Sequence, residues 1–188
     1  MTDQDPSLSR ALQTSFGQPI GGIVQVAYVV EDLHQAMRDF SQRLKIGPWF
    51  YADTYEVQDA VYHGRPTDMR MGLALGFSGH MCFELIHMVD DKPSVYRDIV
   101  DKRGYGFHHL GMATRSYDAD VERYRAMGYE VAFSGRTKRG IRFGYLDTSD
   151  SLPGMLELIE FNEQQDRFYG SMHLAARGWD GTDPFRKI

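Results

Sequence analysis

The chain has 188 residues, 42% hydrophobic and 25% charged, the balance of a globular protein large enough for one domain or two small modules sharing a core. Its formal net charge of -5 at pH 7 argues against a general affinity for nucleic acid or acidic membranes, and no apolar run approaches the ~20 residues that cross a bilayer. The one cysteine, Cys82, excludes an internal disulfide and fits a reducing compartment; with an N-terminus that lacks the basic and apolar parts of a secretory signal, a cytoplasmic location is expected.

In chain order, residues 1–20 are polar and broken by Pro6, Gly17 and Pro19, which predicts a flexible or loosely docked leader. Residues 23–30 are apolar and largely β-branched apart from Gln25, the pattern of a buried strand. Asp32 is placed to cap a helix running to Leu44, with Leu33, Ala36, Met37, Phe40 and Leu44 on one face and Gly47-Pro48 ending it. Strands are predicted at 49–56, 70–77 and 80–87, the last two joined as a hairpin by Ser78-Gly79. A connector over 90–102 carries Pro93 at the head of a short helix containing Val95, Ile99 and Val100. A strand at 107–114 leads into a helix over 117–127 ended by Gly128, then strands at 130–133, 141–147 and 155–161. Residues 162–188 read as a tail with one helical stretch and a turn-rich end, whose Phe168, Tyr169 and Trp179 need cover from the domain or a partner subunit.

The order strand, helix, three strands occurs twice, giving an α+β domain over 21–161 built of paired βαβββ modules at about 22–88 and 106–161. Duplicated units of this kind make a curved mixed sheet whose concave face can hold a ligand. Alternation along a strand puts Glu84 with Ile86 and Glu157 with Ile159 on one face, with Leu85 and Leu158 on the other. By the same rule His108 and His109 point to opposite faces, one into the cup and one into the packing layer. A lone strand glutamate is more often solvated, and a lone histidine more often a hydrogen-bonded core residue. Here Gln25 and His109 stand at the start of the two copies and Glu84 and Glu157 at the end, and the matching placement reverses those odds.

Ionised carboxylates in apolar strands are costly unless paired or bound to a cation. Two of them with an imidazole and an amide oxygen suit a divalent ion with positions left for water or substrate, and favour Mn, Co, Ni, Zn or Mg over a thiolate zinc site. Arg136, Lys138, Arg139 and Arg142 cluster on one hairpin, either as an anion patch or as solvated charges. Trp49, Phe50, Tyr51 and Tyr55 either line an aromatic pocket or pack the core.

The segments V-A-Y-V-V-E-D-L, E-L-I-H-M-V-D-D-K-P-S, G-Y-G-F-H-H-L-G and G-M-L-E-L-I-E resemble the vicinal oxygen chelate (VOC) superfamily, which includes glyoxalase I, methylmalonyl-CoA epimerase, extradiol dioxygenases and bleomycin-resistance proteins. The likeness covers about residues 23–161. It implies a divalent metal held by Gln25, Glu84, His109 and Glu157, and selects His109 over His108. It further implies a metal-dependent lyase or isomerase working through a metal-stabilised enolate on a small carbonyl compound or thioester. Glu157 would serve as ligand and base and Glu84 as ligand and second base, with Zn, Ni, Co or Mn as the ion.

The connector looks most like methylmalonyl-CoA epimerase. Gln25 stands where the epimerase usually has histidine, and the second basic glutamate of epimerases is missing, with only Asp68 and Arg70 near its place. A Gln, Glu, His, Glu set is found in some glyoxalase I enzymes. Extradiol dioxygenases need two histidines and a glutamate, so Gln25 makes that reading the least favoured. The rival from another class is a small-molecule binding protein of the antibiotic-resistance kind. Either reading suits a homodimer.

Overall fold

Two copies of the same path through space account for most of the molecule. The computed structural model describes residues 12–188. Its strands are β1 (Ile23–Val29), β2 (Trp49–Glu56), β3 (Gln58–Tyr62), β4 (Arg65–Pro66), β5 (Arg70–Ser78), β6 (Met81–Met88), β7 (Gly106–Thr114), β8 (Val131–Arg136), β9 (Arg142–Leu146), β10 (Met155–Glu160) and β11 (Phe185–Lys187). The helices among the described residues are α1 (Leu33–Leu44), α2 (Val95–Arg103), α3 (Tyr117–Ala126) and α4 (Glu163–Ala176). None of them is long and apolar enough to cross a membrane.

All the strands join one mixed sheet in the order β11-β2-β5-β6-β1-β7-β10-β9-β8-β3-β4. The first strands of the two modules, β1 and β7, lie side by side and antiparallel at its centre, so the modules pair within the chain. Each is flanked by the last strand of its own module in parallel, β6 on one side and β10 on the other. The expected paired βαβββ architecture is therefore the one observed.

The strand order contains a closure that the sequence pattern did not reveal. Only Val57 separates β2, near one end of the order, from β3, near the other. Two chain steps reach about 7 Å at most, so the sheet must curl until its two ends meet. Gly135 on β8 admits the crossing, because a Cβ there would collide with the Val57 side chain.

Packing follows the alternation of the strands. Leu85 and Ala74 face outward against Leu33 and Met37 of α1, and Leu146, Leu156 and Leu158 face outward against Tyr117, Val121 and Tyr124 of α3. The inner face carries Leu73, Leu75, Ile86, Phe143, Tyr145 and Ile159. Side-chain caps start three of the helices: Asp32 accepts from Gln35 N (2.8 Å), Ser94 from Arg97 N (3.2 Å) and Asn162 from Gln165 N (3.0 Å). Ser94, not Pro93, thus heads α2. Leu44, placed on the buried face of α1 by its spacing, is exposed because the helix ends there and Lys45 turns into the left-handed region.

Of the leader expected over 1–20, residues 1–11 lie outside the described residues. The rest is docked, not loose: Phe16 is buried against Phe77, Phe161 and Tyr169, and Ser15 N donates to Asp166 of α4 at 2.7 Å. The tail supplies α4, which covers the open end of the curled sheet, and β11, which adds to β2 in parallel. His173 is buried on α4 and bonds the Gly79 carbonyl at 3.0 Å.

Candidate metal centre

Strand register brings the four singled-out residues together and shows their equivalence. On β1 and β6, Ala27 sits opposite Glu84 and Gln25 opposite Cys82; on β7 and β10, Gly111 sits opposite Glu157 and His109 opposite Met155. Gln25 thus corresponds to His109, and Glu84 to Glu157. All four are buried, with relative exposures of 1% for Gln25, 9% for Glu84, 0% for His109 and 5% for Glu157. Gly111 keeps the centre open, since a Cβ there would lie 2.9 Å from the Gln25 Cβ and 3.4 Å from a Glu157 carboxylate oxygen.

The opposite-face expectation for His108 and His109 is corrected by a β-bulge. Ala27 pairs with His109 but Tyr28 with Phe107, so His108 is an extra residue on β7, and such an insertion re-aims side chains. Both imidazoles are fully buried, with their Nδ1 atoms 2.9 Å apart. His108 Nε2 faces the Val95 carbonyl of α2 at 3.1 Å and must donate to it. Its Nδ1 is then an acceptor, so His109 donates through Nδ1 and keeps Nε2 bare. That bare nitrogen points at the carboxylates, 3.4 Å from Glu84 and 3.1 Å from Glu157. His108 is therefore the acceptor that orients His109, a role the spacing of the pair gave no means of reading.

Gln25 closes the group. Its amide nitrogen lies 2.9 Å from Glu84, 3.3 Å from Glu157 and 3.3 Å from His109 Nε2, and its oxygen accepts from the Tyr169 hydroxyl at 2.5 Å. Tyr169 comes from α4 in the tail. Sequence reasoning missed it as a site residue; the sole signal was an aromatic tail needing cover.

Burial sets the protonation states. It pushes the Glu84 carboxyl well above the usual carboxylate range, with the charge of Glu157 adding to the rise. Burial likewise raises Glu157 to about 8, with the neighbouring Tyr145 hydroxyl pulling the other way. It lowers His109 to about 3, so the short contacts from His109 to the glutamates are not ion pairs at neutral pH. A proton on Glu157 placed towards the bare Nε2 satisfies both groups.

The geometry suits a divalent ion. One donor atom each from Glu84, His109 and Glu157 lies within 4.8 Å of the others. Donors held about 2.1 Å from a first-row ion at right angles stand roughly 3.0 Å apart, close to the 3.1 and 3.4 Å from His109 to the two carboxylates. The donor types, two hard oxygens with one imidazole, fit such an ion as well.

Gln25, Glu84 and Glu157 line a cavity walled mainly by Met71, Leu73, Leu75, Phe143 and Ile159. The other sequence candidates separate clearly. Arg142 is held by Glu160 and Asp118, Arg136 lies near Asp59, and Lys138 covers the Tyr55 ring; of the hairpin cations, Arg139 alone lines the cavity. Of the four aromatics at 49–55, Tyr55 alone reaches it, while Trp49 is core and bonds Ser41. Asp68 and Arg70 are exposed, near Lys92 and Asp90, outside the cavity lining.

The sequence profile of the Glyoxalase/Bleomycin resistance protein/Dioxygenase superfamily matches residues 24–145. Among solved structures, a hypothetical protein from Bacillus halodurans is similar at 16% identity, covering 76% of this chain and 96% of that one with a TM-score of 0.57. A methylmalonyl-CoA epimerase from Mycobacterium tuberculosis is similar at 20% identity, with coverage of 77% and 91% and a TM-score of 0.55. A methylmalonyl-CoA epimerase in complex with methylmalonyl-CoA and NH4+ is similar at 19% identity, with coverage of 77% and 96% and a TM-score of 0.53. At these identities the likeness is one of fold. No curated protein matches the chain.

Proposed function

Because the chain belongs to the glyoxalase/bleomycin resistance protein/dioxygenase superfamily, we propose that its buried centre holds a divalent metal ion. On this reading the protein is a metal-dependent lyase or isomerase of the glyoxalase I or methylmalonyl-CoA epimerase kind. The observation that carries it is the trio Glu84, His109 and Glu157, buried ligand groups within 4.8 Å with the imidazole nitrogen left bare, at the head of an apolar cavity.

Gln25, Glu84, His109 and Glu157 would hold the ion, with Zn, Ni, Co or Mn suited to the donors. Bound there, it would polarise a substrate carbonyl and stabilise the negative charge that develops on its oxygen. Glu157 faces the cavity and would take the proton from the carbon next to that carbonyl; Glu84, facing the same cavity from the other module, would be the second proton carrier. His108 fixes the orientation of His109, and the apolar walls exclude water from the reacting carbon.

Gln25 presents its amide nitrogen to the carboxylates, so serving as an oxygen ligand requires a half-turn of the amide. The Tyr169 hydroxyl suits both states, donating to the oxygen now and accepting from the nitrogen after the turn. Tyr169→Phe is expected to weaken metal binding by about tenfold, the usual effect of losing a group that orients a ligand. Competition with a chelator would show this, and an unchanged affinity takes Tyr169 out of the centre.

The closed network of Tyr169, Gln25 and the carboxylates also supports a second reading, a cup that binds a small molecule without metal. Elemental analysis of the purified protein beside Glu84→Ala separates the two. About one equivalent of metal, lost in the variant, supports the enzyme reading and directs screening to glyoxalase and acyl-CoA epimerase substrates. Absence of metal after incubation with Mn, Co, Ni and Zn supports the binding reading.

A further inference from the structure

Three buried side-chain polar atoms lack a hydrogen-bond partner among the described residues, and two of them, Arg139 Nε and Gln165 Oε1, belong to side chains that line the same cavity. Buried polar groups are nearly always satisfied, so two orphans in one cavity call for a ligand that satisfies them. They are also neighbours. The Arg139 guanidinium lies over the Phe168 ring, 3.5 Å from its centre, and Phe168 stands one helical turn after Gln165 on α4. Gln165 is 3% exposed, with its backbone nitrogen committed to the Asn162 cap and its side-chain oxygen free.

The chemistry of the missing partner can be read from the two atoms. Arg139 needs an acceptor, and it is the sole cation of the lining, so the matching group is a monoanion; a carboxylate meets a guanidinium in this way. Gln165 Oε1 needs a donor, an O–H or N–H close to that carboxylate. The walls between this end and the Glu84–Glu157 end are apolar.

We infer that Arg139 and Gln165 form the recognition end of the cavity, selecting a small carboxylic acid that carries an O–H or N–H beside its carboxylate and directs at the buried centre a body that is apolar apart from the reacting carbonyl. This names a substrate class for the proposed reaction and rests on that reading for its chemistry, but not for its binding.

The test uses isovalerylglycine, which has a carboxylate, an adjacent amide N–H and an apolar body. Its methyl ester, isovalerate and inorganic phosphate serve as comparisons, with calorimetry on the metal-free and metal-loaded wild type. The acid is expected to bind about tenfold or more tighter than the ester in both forms. Arg139→Gln should remove that preference. Gln165→Leu should instead remove the advantage of isovalerylglycine over isovalerate. Its Tm should not fall, because the oxygen it deletes has no partner among the described residues. A residue held for structure alone would lower the Tm on replacement.

Equal binding of acid and ester, no binding of isovalerylglycine, or a preference that survives Arg139→Gln overturns the assignment. Phosphate displacing the acid as well as isovalerate does overturns the choice of a carboxylate. Because the metal-free protein is included, loss of the metal reading leaves this result standing, and the reverse also holds.

Discussion

Glu157→Gln is expected to lose the metal and gain stability in its absence. Two unit charges about 4 Å apart at an effective dielectric near 20 interact by ~4 kcal/mol, so removing one carboxylate from the centre should weaken divalent-metal binding by about a thousandfold. The same carboxylate is a burden when no ion is present. Burial holds its pKa at about 8, far above an ordinary glutamate, so at pH 8 the folded protein pays to ionise a group that the unfolded chain ionises freely. The neutral amide keeps the shape without that cost. The metal-free variant should therefore melt above metal-free wild type at pH 8, with the gap closing towards pH 5. Metal titration and melting curves in a chelator measure both effects. Retained metal affinity would remove Glu157 from the centre, and a lower melting point at pH 8 would show that its charge is compensated by neighbours.

The second large effect is a pH window in which metal controls stability. Glu84 and Glu157 have folded pKa values raised above 4.5, so the folded state holds more protons than the unfolded one; their contribution is fully present below about 4.5 and is lost as pH rises through the folded values, about 8 for Glu157. His108, His109 and His173 have folded pKa values lowered below 6.5, so the unfolded state takes up protons first and stability falls as pH drops through 6.5. Between about 4.5 and 6.5 these trends oppose each other. From 6.5 to about 8 the carboxylates act alone among these groups. The lowered carboxyls Asp32, Asp53, Asp68, Asp147 and Asp180 titrate below 3.8, and Glu160 below 4.5.

Metal-free protein should therefore lose a few kcal/mol of stability as pH rises across that window. A bound divalent ion, which takes the place of the protons, should flatten or reverse the slope. Urea unfolding at several pH values, with chelator and then with Zn or Mn, checks it; a flat profile in chelator would mean that the two carboxyls ionise at no cost.

How much of this was legible beforehand depends on where regular geometry holds. The strand–helix–strand order, the inward parity of Glu84 and Glu157, and the match of Gln25 with His109 follow from alternation along strands, which needs no knowledge of tertiary structure. The His108 bulge lay beyond that rule, because one inserted residue breaks the alternation on which the rule rests. The short β3 and β4 strands were invisible for a different reason: Q-D-A-V-Y and R-P carry little apolar signal, and β4 pairs only with β3, which is itself placed by pairing with β8 residues more than 70 positions away. Tyr169 was likewise out of reach, since it meets Gln25 across 144 positions of sequence and no local pattern marks it. The docking of residues 12–20 depends on one aromatic, Phe16, set among polar neighbours.

The crossing at Val57 has a consequence for how the centre depends on concentration. Gln25 and Glu84 belong to one module and His109 and Glu157 to the other, but the modules are joined at β1 and β7 and again where β3 pairs with β8. The polypeptide is thus a hoop fastened on both sides of the site. Dilution, which takes apart a site shared between subunits, has nothing here to take apart: the four side chains stay at fixed spacing in a solitary molecule, and separating them requires breaking strand pairs. A titration at nanomolar protein should give the same number of sites per chain as one at millimolar protein.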